Sequence, residues 1–433
     1  MDVASGMTIG TGTVVLDIDS TTVSSAVAAN SAAVTSQALT YTSGSLATEF
    51  ASTPQNQAVA GNQTVEIGRW KFTSSYKAFT ITEVKIDPDV ASTATDNAED
   101  AISSLTLWDG TTQVGTAQSF NNINTSGSTG GYYFTGLSIA VPASTSKTLI
   151  AKATLSIPSA TNGTSGLRVV PALTYVEYMD DQGTVSTSTT ERDGNSTYVY
   201  RSVPTLSKVD IDNSGTIANG QVLNLYSMKV AAPSAGDVNV KQLKFDVSWS
   251  DGATADVLEV EALKFYKDGT DITDSVSIVD EDSATSLEGT AVGLSELNSK
   301  IIVTWDGSTE DTISAGSNTT YTIQGVPQGF MLLGTTDTVG DSVSIAFSPD
   351  TADVTFGSTT VDFIGFINEG TTFTSILKLF TSATADASAE DADLIWSDNS
   401  AVAHSASRTA GTGDWTNSYL IKDSLTSEVW TRN

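Results

Sequence analysis

Apolar and polar residues alternate at period two through residues 65–72 (VEIGRWKF) and again through 79–86 (FTITEVKI). Successive side chains of an extended chain point to opposite sides, so this alternation predicts two strands with one buried face each. The connection between them, 73–78, has the length of a hairpin or sandwich loop. Leu105-Thr106-Leu107-Trp108 then runs into Asp109-Gly110, a pair that tolerates the positive φ of a tight hairpin turn. Further strands are predicted over 132–141, 149–157 and 167–178. No long segment carries a period of 3.6, and a short helical turn is expected only near Ala98-Glu99-Asp100-Ala101 or over 294–297. Strands at about 8 to 12 residue spacing, separated by Gly, Asp, Asn and Ser, are the sequence form of an immunoglobulin-like β-sandwich. The predicted class is all-β, with tandem sandwiches and a β-rich C-terminal region.

The tandem arrangement rests on a duplication. VAGNQTVEIGRWKF at 59–72 returns as IANGQVLNLYSMKV at 217–230, and FTITEVKID at 79–87 returns as VNVKQLKFD at 238–246, at offsets of 158 and 159 residues. LTLWDGT, from Leu105, is echoed by LKFYKDGT, from Leu263, again at 158. Three matches in one order at one offset mark a repeated module. By Ala143 and Ala315 the offset has grown to 172, which places an insertion in the second copy around 279–296 (VDEDSATSLEGTAVGLSE). Four regions follow: a lead segment over 1–45, a first sandwich over 46–202, a second over 203–350, and an aromatic, β-rich region over 351–433. In the lead segment TVVLDID, at 13–19, reads as a strand that pairs either within its own molecule or with a neighbour's sheet edge. In the last region the apolar stretches are 361–367, 373–380, Leu394-Ile395-Trp396 and Tyr419-Leu420-Ile421, with Trp396, Trp415 and Trp430. Aromatics are most often core, and docking onto the second sandwich or a neighbouring molecule is the other reading.

Charge narrows the partners. Lys and Arg number 20 against 50 Asp and Glu, a net charge of −30. Such a field repels nucleic acid and anionic lipid and favours divalent cations. The absence of cysteine removes disulfides, thiolate nucleophiles and Cys-ligated metal together, and fits an exported bacterial or archaeal surface protein. No run approaches the roughly 18 apolar residues of a membrane helix. The first residues lack a basic stretch followed by an apolar one, so an exported form is expected here without its signal peptide.

The phrase 61–72, the turn Leu107-Trp108-Asp109-Gly110, the segment 142–149, and above all Ile395-Trp396-Ser397-Asp398-Asn399-Ser400 with Asp414-Trp415-Thr416-Asn417-Ser418-Tyr419-Leu420 resemble large repetitive surface proteins of candidate-phyla-radiation (patescibacterial) bacteria. The resemblance implies a cell-surface or surface-layer protein of tandem β-sandwich modules and supplies no catalytic residues. Two modules and a tail are short for a lattice protein, which keeps a filament subunit in view.

Candidate chemistry is sparse. The single histidine, His404, lies in a Ser/Ala-rich stretch without a Gly-x-Ser-x-Gly elbow, and reads as a solvated loop residue rather than part of a Ser-His-Asp triad. One histidine and no cysteine cannot build a zinc site, and carboxylate pairs are too abundant to point to glycoside hydrolysis. Calcium is the chemistry the composition favours, because close-set carboxylates on interstrand loops supply hard oxygen ligands without a helix. The candidates are Asp87, Asp89, Asp96, Glu99 and Asp100, then Asp210, Asp212 and Asn213, then Asp280 and Asp282. Each cluster taken singly reads equally well as a solvated acidic loop. The expected function is that of a non-enzymatic, extracellular structural protein that self-assembles into a surface layer or array with the help of calcium. The alternatives are a pilus-like filament subunit joined by strand exchange, and an adhesin that binds a cell-wall or surface glycan.

Overall fold

The computed structural model describes residues 43–88, 98–121, 130–158, 165–211, 216–252, 257–280, 286–288, 293–296, 300–331, 340–350, 393–406, 412 and 414–432, with the backbone of Thr8–Ile9 and Leu39–Thr40, which pair with each other. The predicted strands at 13–19, 361–367 and 373–380 lie outside them. The chain is all-β, two tandem immunoglobulin-like β-sandwiches, and its only helical turns among the described residues are the 3₁₀ turns Ala98–Ala101 and Thr273–Ser275.

In the first sandwich one sheet runs in the order Ser45–Phe50, Thr64–Ser75, Ser146–Leu155, Ile102–Asp109, Thr112–Gln118. The facing sheet runs Ile139–Val141, Phe79–Asp87, Ala172–Asp180, Val185–Ser188. The expected alternation breaks once in each strand: in 79–86 the pairing with Ala172–Asp180 skips Thr82, so Thr82 and Glu83 are both half-buried between Ile81 and Val84, and in 65–72 the break is a bulge. Gly68 stands opposite Ala151 and Glu66 opposite Lys152, so Ile67 is an extra residue and both it and Gly68 turn inward. The bulge serves Trp70: a Cβ on Gly68 would stand 2.6 Å from the indole, so the ring lies against bare backbone and its Nε1 donates to the Arg192 carbonyl at 2.8 Å. The turn after Trp108 also differs from expectation. Asp109 is the last strand residue, paired with Thr112, and the turn is Gly110-Thr111, whereas the second copy turns on Asp268-Gly269, both at positive φ.

The second sandwich repeats the order: Thr205–Lys208, Leu223–Ala231, Asn318–Gln328, Glu259–Lys267, Thr270–Asp271. Its facing sheet centres on Val238–Ser250. A strand leading into the acidic insertion, Val276–Asp280, pairs with Lys300–Trp305 and sends Val276 and Ile278 into the core, and within the insertion Gly293–Ser295 pairs with Glu259–Lys267. The described part of 351–433 enters this same sandwich. Leu394–Ser397 pairs with Val238–Ser250, Glu428–Thr431 pairs with Ser342–Ala346, and Lys422–Ser424 runs parallel to Thr205–Lys208. Trp396, Trp415 and Trp430 are among the largest fully buried side chains, so the core reading of the tail aromatics is the one observed.

The two sandwiches share a strand. Thr197–Tyr200 pairs antiparallel with Leu167–Val169 and parallel with Gln57–Ala60, and every one of its residues is buried. Val199 belongs to the first core; Tyr198 and Tyr200 belong to the second. Period two thus splits one strand between two cores. Tyr200 packs on Trp396 with ring centroids 5.2 Å apart, and Tyr198 meets Tyr419 edge-on at 5.9 Å. Truncating a buried aromatic of this kind costs about 3 to 5 kcal/mol. Tyr200→Ala is therefore expected to lower the melting temperature and to resolve one calorimetric transition into two; a single undiminished transition would show that the cores are not coupled through this strand.

Candidate functional site

A buried polar cluster is built where the C-terminal strands enter the second sandwich. Leu394–Ser397 ends against Val238–Ser250, and the chain then passes Asp398 and His404 before returning through Asp414. His404 Nδ1 lies 2.8 Å from Asp414 Oδ2, and Nε2 lies 3.0 Å from Glu310 Oε2, in the turn before the strand Asp311–Ile313. Asp414 also accepts from Ser397 Oγ at 2.9 Å, the Ala401 N–H at 3.1 Å and Thr412 Oγ1 at 2.5 Å. The imidazole packs against Trp415, whose Nε1 donates to the Ser405 carbonyl. Asp398, fully buried, accepts from the Arg201 N–H at 2.7 Å and from Ser400, which ties the tail to the end of the shared strand.

His404 is not the solvated loop residue that its Ser/Ala neighbours suggested. Period and composition around it carried no sign of Glu310, which is distant in sequence. Both ring nitrogens are committed to carboxylates, so the imidazole has no free nitrogen to take a proton from a nucleophile, and the Ser397 hydroxyl points to Asp414 rather than to the ring. The arrangement is an ion pair of three rather than a triad. Burial would lower the His404 pKa, but hydrogen bonds from the ring to Asp414 and Glu310, and their charges, push it up to about 9. Burial likewise acts to raise Asp414, yet its bonds to His404 and Thr412 hold it down to about 2. For Asp398 burial prevails over its hydrogen bonds and pushes the carboxyl up to about 6.

Two further buried cations brace the same sandwich. Lys241 Nζ donates to the carbonyls of Trp305, Gly307 and Thr309 at 2.8, 2.9 and 2.7 Å. Lys244 meets Asp393 at 3.0 Å, where burial raises the Asp393 carboxyl to about 7 against the pull of the lysine.

The expected calcium ligands are scattered. Asp87 ends the strand Phe79–Asp87, near Glu191 and Asp193, and adds to the burial and the Asp193 charge that raise the Glu191 carboxyl. Glu99 and Asp100 sit on the Ala98–Ala101 turn, where their charges reinforce the burial that raises the Tyr132 hydroxyl. Asp210 is exposed beyond Thr205–Lys208, and Asp280 is buried at the end of Val276–Asp280. Asp89, Asp96, Asp212, Asn213 and Asp282 lie outside the described residues. Among the described residues no three acidic or histidine side chains converge as a metal site. The tail tryptophans lie in the core: Trp396 donates to the Asn417 carbonyl and Trp430 to that of Leu225. No helix among the described residues is long and apolar enough to cross a membrane.

The shifts set a pH dependence. Asp398, Asp393 and His404 all have raised values, so what each contributes is present below its unfolded pKa and lost as pH rises through about 6, about 7 and about 9 respectively. Asp414 acts in the opposite sense and loses its contribution as pH falls through about 2. The melting temperature is expected to be highest near the ordinary carboxylate range and to fall in steps towards pH 10. His404→Gln should erase the step near 9; a His404→Gln profile that keeps that step would remove the histidine from this account. His404→Ala leaves Asp414 and Glu310 facing each other without a cation and is expected to cost about 3 kcal/mol in denaturant unfolding.

No family model matches the chain, and the search of curated proteins finds no match. Among solved structures, similar ones include the C-terminal domain of the Streptococcus agalactiae AgI/II polypeptide BspA, at 10% identity over 70% of this chain and 95% of that one, with a TM-score of 0.19. The major pilin subunit BcpA of Bacillus cereus matches at 8% identity over 69% and 66%, TM-score 0.22, and the calcium-binding domain CBD12 of CALX1.1 at 12% over 69% and 79%, TM-score 0.21. At TM-scores of this size the likenesses say nothing of what this chain does.

Proposed function

We propose that this chain is a structural protein of the cell surface whose copies assemble into an extracellular array. The observation that carries the reading is the shared strand Thr197–Tyr200, which holds two sandwiches as one rigid unit by giving alternate side chains to two cores. A building block for an array needs fixed geometry between its contact surfaces more than it needs a reactive site. The one histidine supports the same reading, since its ring is occupied by Asp414 and Glu310. With a net charge of −30, copies repel one another, and calcium would promote contact by neutralising carboxylates across the interface, a role that requires no prebuilt cage.

A filament subunit is the second reading. What favours it is that strands near the C-terminal end of the chain, Leu394–Ser397 and Glu428–Thr431, lie within a sheet of the second sandwich, the kind of element that neighbouring subunits exchange. The two are separated by one experiment. Light scattering and electron microscopy of the purified chain at rising concentration, with and without millimolar calcium, should show growing ordered assemblies, promoted by calcium: sheets for an array, threads for a filament. A chain that stays monomeric throughout would sink both.

A further inference from the structure

We propose that copies join by strand addition between two uncharged edges of the first sandwich, Thr112–Gln118 of one copy pairing with Val185–Ser188 of the next. The inference rests on the self-assembly reading above and names the surface that does it.

The duplicated module provides its own control, because the same two edges are closed in the second sandwich. There the strand equivalent to Thr112–Gln118 is only two residues long, Thr270–Asp271, and the chain leaves it through the Thr273–Ser275 turn. Asp271 is ion-paired to Lys264 at 2.8 Å and Asp274 follows. Short strands and charges are how natural sheets keep their edges from pairing with other chains. The other edge of the second sandwich, Glu428–Thr431, is bridged on its outer side by Thr216, and Lys208 reaches over it to Glu428 at 2.5 Å and to the Ser427 carbonyl at 3.1 Å.

Among the described residues, neither a charge on the strand nor a covering bridge closes the corresponding edges of the first sandwich. Among the described residues, Thr112–Gln118 pairs only with Ile102–Asp109, and Val185–Ser188 only with Ala172–Asp180. Five of the seven residues of TQVGTAQ, and three of the four of VSTS, are exposed. Neither edge holds a charged residue or a proline, and no charge occurs anywhere between Asp109 and Lys147 or between Asp181 and Glu191. In a chain of net charge −30, these are the strips on which two like-charged copies can approach without repulsion. That is why a second copy is the occupant assigned to them.

Their placement decides the symmetry. Thr112–Gln118 lies at the margin where Tyr132–Phe134 closes the facing sheet, while Val185–Ser188 lies at the opposite margin, on the side where Arg192–Asp193 meets Ser45–Phe50. Two different edges on opposite margins make a heterologous contact, which propagates as an open series instead of closing as a dimer. Main-chain hydrogen bonds supply the attraction and do not depend on side-chain charge.

The absence of native cysteine makes the test direct. Thr112→Cys and Thr116→Cys are each combined with Thr187→Cys and oxidised under assembly conditions. A ladder of cross-linked multimers is expected from at least one double variant, and none from any single variant. Dimers from Thr116→Cys alone would overturn the heterologous pairing. Thr116→Lys with Gln118→Lys should abolish assembly seen by light scattering, while Thr270→Lys, on the edge already closed, should leave it intact. If the chain assembles but gives no ladder and the lysine variants still assemble, the edges are wrong and the self-assembly reading stands. If the unaltered chain never assembles, both fall.

Discussion

The arrangement of the whole chain depends on a four-residue strand without a solvent face. Thr197-Tyr198-Val199-Tyr200 is buried throughout because each side of it is the interior of a different sandwich. An ordinary linker between sandwiches is exposed and leaves their orientation free. Here the pleat itself fixes the orientation, since rotating one sandwich about the strand would pull Val199 or the two tyrosines out of a core. Arg201 extends the constraint, with its N–H on Asp398 and its guanidinium on the Asn399 carbonyl at 2.7 Å, so the C-terminal strands, the shared strand and the second core are locked by one set of contacts.

Those contacts are costly to bury, and the polar network is what makes the burial tolerable. A lone carboxylate at Asp414 would be expelled or protonated in so dry a place. Instead it accepts four hydrogen bonds and faces an imidazolium whose other nitrogen is balanced by Glu310. The tail is held by charge as well as by its tryptophans, and the charge term varies with pH while the apolar term does not. Lys241, with three carbonyl acceptors, and Lys244, on Asp393, apply the same rule on the central strand Val238–Ser250. A chain short of basic residues has placed several of the few it possesses inside.

Duplication made two sandwiches with one pairing scheme, and divergence treated their edges differently. The second copy takes in the C-terminal strands, and its equivalent of Thr112–Gln118 is only Thr270–Asp271. The first copy has neutral outer strands on both margins, seven residues long on one and four on the other. Among the described residues, the second sandwich has its edges covered and the first leaves hydrogen-bonding groups at its rim.

Much of this was legible in the residue pattern. Period two in 65–72 and 79–86, the offset of 158 residues and the lack of helical periodicity determined the class, the repeat and the positions of several strands, because these depend on local pattern. The sequence also determined that no thiol chemistry is available. It misplaced features that depend on contacts across long separations. The bulge at Ile67 seats the Trp70 indole, whose Nε1 reaches the distant Arg192 carbonyl, and His404 looked solvated because Glu310, 3.0 Å from its ring in space, is far away along the chain. Spacing groups acidic residues along a loop, whereas convergence in space is set by packing; the described candidates lie at separate strand ends and turns, and the other five lie outside the described residues. Local pattern decides which way a side chain points from its own strand. Only the packing of sheets decides what it meets there.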